Sequence, residues 1–370
     1  AVGRRALLTN TTGNENVAVG SESLEANTTG TDNTAVGHQA LHANTTAINN
    51  TGLGRAALKA NTTGANNTAV GYVSLFLNTT GTENVAVGTE SLESNTTGNE
   101  NVAVGYRALE GNTTGATNTA LGDRALASNT TASNNTAVGN NALVENTTAS
   151  NNTGIGHSCL AANTTGANNT GLGFGALASN TTAAANTAVG KSALLLNTTG
   201  TLNVAIGHEA LDANTTANSN TAIGTYALGA NTTGAQNIGV GLSAGASITT
   251  GANNTVIGAA AGVTGVTLTT GGQNVLLGRH CHTSAADSSY ANGLVEAVGG
   301  YTTIGESGSD IRAQHGVATW NTVSDERVKK DIKDSTVGLN FINDLRPVTF
   351  NYRNKGDLPT EFKGYEEDST

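Results

Sequence analysis

Apolar positions recur every seventeen residues over most of the chain, most clearly in NTTGTDNTAVGHQALHA, Asn27 to Ala43. One column admits only Val, Leu or Ile (Val19, Val36, Leu53, Val70, Val87, Val104, Leu121, Ile155, Ile206), and another is Leu (Leu24, Leu41, Leu58, Leu75, Leu92, Leu109). Both are expected in the core. Between Thr and Val sits Ala or Gly (Ala18, Ala35, Gly52, Ala69), and an unvarying Gly follows (Gly20, Gly37, Gly54, Gly71). Strand alternation sends Thr and Val to one face and the two small residues to the other. A face stripped to Ala and Gly lets a second backbone approach or turns sharply at the Gly. This face is expected to make the contact between chains.

Asn-Thr-Thr returns at Asn10, Asn27, Asn44 and onward to Asn231, fourteen copies in one register. This stretch has turn chemistry, with Asn and Gly tolerating positive φ and Asn side chains stacking from coil to coil. A repeat this short holds no helix pair but suits one coil carrying two short strands. The fold class is therefore all-β, a parallel β-solenoid or β-roll. At roughly 4.8 Å per coil, about sixteen coils give a rod on the order of 75 Å long.

The register divides the chain. Residues 1–278 form the solenoid shaft, with a coil lengthened by three residues between Ile248-Thr249-Thr250-Gly251 and Leu268-Thr269-Thr270-Gly271. Residues 279–323 change composition and are expected to form a β-rich, trimeric neck. Residues 324–370 carry closely spaced charges and both prolines, Pro347 and Pro359. There, Leu339, Ile342 and Leu345 share a face of a helix predicted over Thr336 to Leu345. A strand is expected from Val348 to Arg353. Ala1 to Gly3 align with Ala18 to Gly20, so the reading expects the true N-terminus to lie elsewhere.

Composition narrows the function classes. Among 370 residues there are 48 Gly, 2 Pro, no Met and only 12% charged residues, which suits a fibrous β protein. Thin coils of Val, Leu and Ala bury little per residue, so a homotrimer is expected. Up to Gly278 the chain has 7 Lys or Arg against 13 Asp or Glu. No basic patch exists there, and nucleic acid is not expected as a partner. Cys159 and Cys281 have no framework spacing, so reduced thiols are expected. No apolar run is long enough to span a bilayer. The Asn-Thr-Thr triplets match the glycosylation sequon but are read as coil geometry.

Two resemblances sharpen this reading. NTAVG-x-x-AL resembles the repeated head motif of trimeric autotransporter adhesins, which implies a β-roll wound as three chains. SDERVKKDIKDSTVGLNFINDLRPVTFNYR resembles the start of the intramolecular chaperone domain of endosialidase-type phage tailspikes and fibres, the S74 peptidase family. That resemblance implies trimeric folding assistance followed by self-release. Its nucleophile would be Ser324, its scissile bond Val323–Ser324, and its general base Lys329. Arg327 and Lys330 are neighbouring cations able to lower the lysine pKa. The chain ends at Thr370, before the Gly-hydrophobic-Ala-Gln-Glu segment that the family supplies, which bears on self-cleavage by this stretch alone.

Weaker signals remain. His280 and His282 are expected to alternate on one strand face; the pair resembles the axial iron sites of some phage fibre tips, and three copies would suit octahedral Fe²⁺. Glu15 and Asp32, or Glu83 and Glu100, share a column in adjacent coils near a retaining-glycosidase separation of about 5 Å. A solvent-facing turn is the plainer reading. No other cofactor is expected, nor turnover of an external substrate. The expected function is a phage tail fibre or tailspike in the virion, assembled in the host cytoplasm and binding a host-surface glycan or protein. A bacterial surface adhesin head and an ice-binding solenoid are the alternatives.

Overall fold

The computed structural model describes residues 1–265 and 267–283, together with the strands among residues 297–322. Sixteen three-residue strands, β1 (Val17–Val19) to β16 (Val275–Leu277), form one parallel sheet in chain order. Each strand pairs with the equivalent residues of the next coil, as Val17 with Thr34, Ala18 with Ala35 and Val19 with Val36. The solenoid is thus one strand per coil. The second strand expected in each coil is replaced by hydrogen-bonded turns.

The reason lies in the backbone. In every regular coil the inward Leu adopts a left-handed conformation (Leu24 φ 48°, Leu41 φ 51°, Leu58 φ 54°), as do residues two before it (Glu22, Gln39, Ala56) and eight after it (Asp32, Asn49, Asn66). Positive φ interrupts an extended run, so these segments turn while still bonding coil to coil. Leu24 N–H donates to Ala40 O at 3.0 Å and Thr28 N–H to Thr45 O at 2.9 Å. A left-handed Leu costs about 1–2 kcal/mol. Burying that side chain returns about 1.5–3 kcal/mol.

The interior corrects the column assignment. Leu24, Leu41 and Leu58 are fully buried, as expected, but so are Ala35 and Ala69, while Val19 is 40% exposed. The alanine column is therefore the core, and the Val/Leu/Ile column faces outward. Contact between chains through the Ala/Gly face is excluded, because that face is filled from within the same coil stack. A Cβ on Gly52 would meet Leu41 Cγ at 3.4 Å. Volume is conserved where the pattern breaks. In the last coils the inward Leu becomes Gly245 and Gly262, and the small strand residue becomes Val256 and Leu276, which pack over them. Cys159 likewise lies against the position where Gly171 lacks a side chain.

Two asparagine ladders complete the interior. In the first, each side-chain amide donates to the Asn one coil earlier and to the backbone three residues on, as Asn78 Nδ2 to Asn61 Oδ1 (2.8 Å) and to Gly81 O (2.9 Å). In the second, Asn101 Oδ1 accepts the backbone N–H of Asn118 at 3.0 Å while Asn101 Nδ2 donates to Gly115 O at 2.9 Å. The stacking expected of the Asn-Thr-Thr asparagines is present, although their backbones are not the positive-φ sites. The first ladder ends where Ile248 replaces Asn, and Asn231 Oδ1 is left buried without a donor.

The invariant glycine after each strand is required by close approach. Gly37 has φ 137°, and a Cβ there would lie 2.6 Å from the carbonyl carbon of Gly54 in the next coil. Backbone cannot yield as a side chain can. Gly37→Ala is expected to lower the melting temperature sharply. Gly278→Ala, at the same φ but with nothing within 4 Å among the described residues, should show only the backbone strain. Equal effects in thermal denaturation would contradict the close-approach assignment.

The longer coil is accommodated without loss of pairing: Thr255 pairs with Val275 and Thr249 Oγ1 donates to Thr269 O. Further on, β17 (Ala297–Val298), β18 (Tyr301–Ile304), β19 (Ile311–Gln314) and β20 (Trp320–Thr322) form a four-stranded antiparallel sheet. The β character expected of this region is present. The chain divides into two compact units, Ala1–Val323 and Ser324–Thr370. The helix expected over 336–345 and the strand over 348–353 lie outside the described residues.

Candidate functional site

Chemistry-bearing side chains gather on the turn that follows each strand. The residues after the invariant Gly and those flanking the inward Leu project there, and stacking by seventeen residues brings each next to its counterpart. Two carboxylate groupings result. Glu22, Glu25 and His42, and separately Glu90, Glu93 and Glu110, place one ligand atom each within 4.8 Å of the others. Neither was apparent as a motif, because its members come from two coils. The signal is a pair of acids three residues apart with another acid or a His seventeen residues beyond the second.

Both groupings are already served by cations. Arg4 pairs with Glu22 at 2.7 Å, Arg5 pairs with Glu25, and His42 Nε2 lies 3.5 Å from Glu25 Oε2. Hydrogen bonding from Gln39, at 2.9 Å, with Arg4 assisting against the opposing effect of burial, holds the Glu22 carboxyl below the usual carboxylate range. In the second grouping Arg107 bridges Glu90 at 3.2 Å and Glu110 at 2.6 Å. Glu93 is the third acid and has no cation of its own among the described residues. Burial, with Glu90 and Glu110 adding repulsion, pushes its carboxyl upward. Such arrangements are ion-pair networks that knit coils together.

A raised carboxyl pKa penalises the folded state once the unfolded chain ionises. The penalty is absent below the ordinary Glu pKa and fully present above the raised one. Glu93→Gln should therefore raise the melting temperature at pH 7 and leave it unchanged near pH 3. A gain of equal size at both values would show that charge is not its cause.

Aromatic and basic side chains form rungs on the same flank. Arg55 lies over the Tyr72 ring at 5.4 Å and donates to its hydroxyl at 3.1 Å, and Lys59 lies over Phe76 at 5.5 Å. His157 stacks on Phe174 at 5.2 Å, and His208 meets Tyr226 edge-on at 5.5 Å. Each contact joins adjacent coils, so these rings stiffen the stack while leaving an aromatic edge exposed.

The structure separates other candidates from this flank. Asp32 (φ 59°), Glu15, Glu83 and Glu100 sit in an outer turn at left-handed positions, away from both carboxylate groupings. His280 and His282 are not on a strand. They follow β16 in the turn of the last coil, where His280 is exposed at φ 58° and His282 takes the register of the inward Leu, its Nδ1 3.1 Å from Thr283 O. Neither belongs to a metal-competent grouping among the described residues. Cys159 is sealed in the core and burial pushes its thiol up to about 12, so it is an inert packing group. Val323, Ser324 and Lys329 lie outside the described residues. Among the described residues no helix is long and apolar enough to cross a membrane.

Comparison with curated proteins and with solved structures gives no match. A family comparison does: residues 324–365 match the peptidase S74 family, described as chaperone of endosialidase. The matched segment begins at the serine singled out by its sequence. The chain therefore carries a chaperone-of-endosialidase domain of the peptidase S74 family at its C-terminus, preceded by a β-solenoid of seventeen-residue coils.

Proposed function

We propose that the protein is the body of a homotrimeric phage tail fibre or tailspike, folded with help from its C-terminal domain and then freed from it by self-cleavage. One observation carries the reading: the family match starts at Ser324, downstream in the chain of a long solenoid whose exposed flank carries rings and charges and of a short antiparallel sheet. A rigid rod repeating similar surface chemistry suits host attachment, since three copies multiply weak contacts by effective concentration. The receptor would be a glycan or protein of the host surface, and the mature particle the virion.

The self-cleavage chemistry balances without another reactant but water. Ser324 Oγ attacks the Val323 carbonyl, Lys329 takes the hydroxyl proton and passes it to the departing Ser324 amine, and an ester replaces the peptide bond. Water then hydrolyses the ester, leaving a Val323 carboxylate and a separate piece beginning with Ser324. Lys329 must be uncharged to act, and desolvation in the assembled domain lowers its pKa. N-terminal sequencing of the smaller product of the full-length protein should read Ser324-Asp325-Glu326. Any other start overturns the assignment.

A further inference from the structure

Each of the sixteen strands turns its central residue inward and its two outer residues to the same open face. No charged residue occurs at any strand position from β1 to β16. One outward row is Val, Leu or Ile throughout, with Val19 40%, Leu121 46% and Leu277 45% exposed. The other is Thr in ten strands and Val or Ile in six. Charges are confined to the turns.

We infer that this face seats two further copies of the chain, the Val/Leu/Ile row of each protomer packing on the Thr/Val row of the next around a threefold axis. The inference rests on the trimeric reading above and supplies its contact surface. Area favours it. Two outward side chains per strand over sixteen strands leave on the order of 1,000 Å² of uncharged surface; a monomer's largest apolar patch is about 300–600 Å², and one side of a standard interface about 800 Å². Period favours it as well. A partner covering the whole face must repeat at the coil spacing over the same length, and another copy does so by construction. The two rows differ, so contact is heterologous, and a threefold rotation closes it without leaving either row open.

The arrangement also gives the C-terminal domain a physical task. Sliding one copy by a single coil, about 4.8 Å, re-forms nearly every contact, so the face fixes which surfaces meet but specifies register weakly. A separate trimerising domain sets that register before the shafts zip together.

The test uses full-length protein with Cys281→Ser in the background, since Cys159 is buried. Thr68 and Val70 flank the central residue of β4 (Thr68–Val70). The double variant Thr68→Cys/Val70→Cys, treated with a short bismaleimide, should give a covalent trimer on a denaturing gel. Thr63→Cys, on the exposed outer turn, should remain monomeric on the gel. Light scattering of the untreated protein reports assembly independently. A trimeric mass with no link at Thr68/Val70 overturns the interface and leaves the trimeric fibre standing. A single-chain mass overturns both and leaves the face to a foreign partner, and linked dimers alone overturn the threefold arrangement.

Discussion

Full-length protein carrying Ser324→Ala is expected to run as one uncut band on a denaturing gel, where the parent gives two. Ser324 is the residue at which the matched domain begins, and in the proposed mechanism its own amide is the bond to be broken, so removing Oγ would remove the nucleophile that the proposal requires. Lys329→Ala should give the same uncut band, because a serine hydroxyl at neutral pH needs a base within reach. Lys333→Ala should be cut normally. That contrast separates a catalytic lysine from a general need for positive charge in a lysine-rich stretch. The uncut variants should still assemble, since chaperoning does not require the chemical step. Cleavage is expected to change kinetics more than contacts. On that proposal, loss of the piece that guided assembly would leave unfolded shafts with no route back and the mature rod trapped by its unfolding barrier. Normal processing of Ser324→Ala would end this mechanism.

The second large effect is expected inside the shaft. Asn101 is fully buried, and its side chain accepts the backbone N–H of Asn118 and donates to Gly115 O while its own N–H is held by Asn84. Asn101→Leu keeps the heavy-atom count and branching of the side chain but removes its bonds to Asn84 Oδ1, Gly115 O, Asn118 N and Asn118 Nδ2, leaving the buried Asn118 N–H without its acceptor while Gly115 O keeps the Asn112 amide. An orphaned buried N–H costs about 1–3 kcal/mol and each other lost bond about 0.5–1.5 kcal/mol, so the substitution should destabilise by at least about 2 kcal/mol. Thr97→Ala, on the exposed turn four residues earlier in the same coil, should change stability by no more than about 0.5 kcal/mol. Coils contact chiefly their neighbours, so hydrogen-exchange protection should fall around Asn101 and persist near Asn203. Uniform protection along the rod after Asn101→Leu would mean that the ladder is not what couples the coils.

The period, the inward leucines and the stacked asparagines were readable from sequence because each is a strict column whose chemistry has one good structural use. Which side of Thr-Ala-Val was inside was not readable by the same logic. Alternation separates the faces but does not say which is buried, and the usual preference for Val over Ala pointed outward-in. In a coil this thin the cross-section is filled by the Leu side chain, so only Ala or Gly fits opposite it, as Gly52 beneath Leu41 illustrates. Residues such as Leu24 at φ 48° were also hidden, because leucine propensity gives no hint of a left-handed site. That single conformation turns an expected second strand into a turn. The groupings around Glu25 and Glu93 were invisible as motifs because one of the three members of each, His42 or Glu110, comes from the next coil. The Ser-Lys reading had the opposite character: a contiguous sequence signature carried it without any geometry.

Native mass spectrometry of the mature product decides whether the chain is a self-released trimer. A self-released trimeric fibre body predicts an assembly of three identical chains, each ending at Val323. A single chain, or three chains that still contain Ser324 and the residues beyond it, would contradict it.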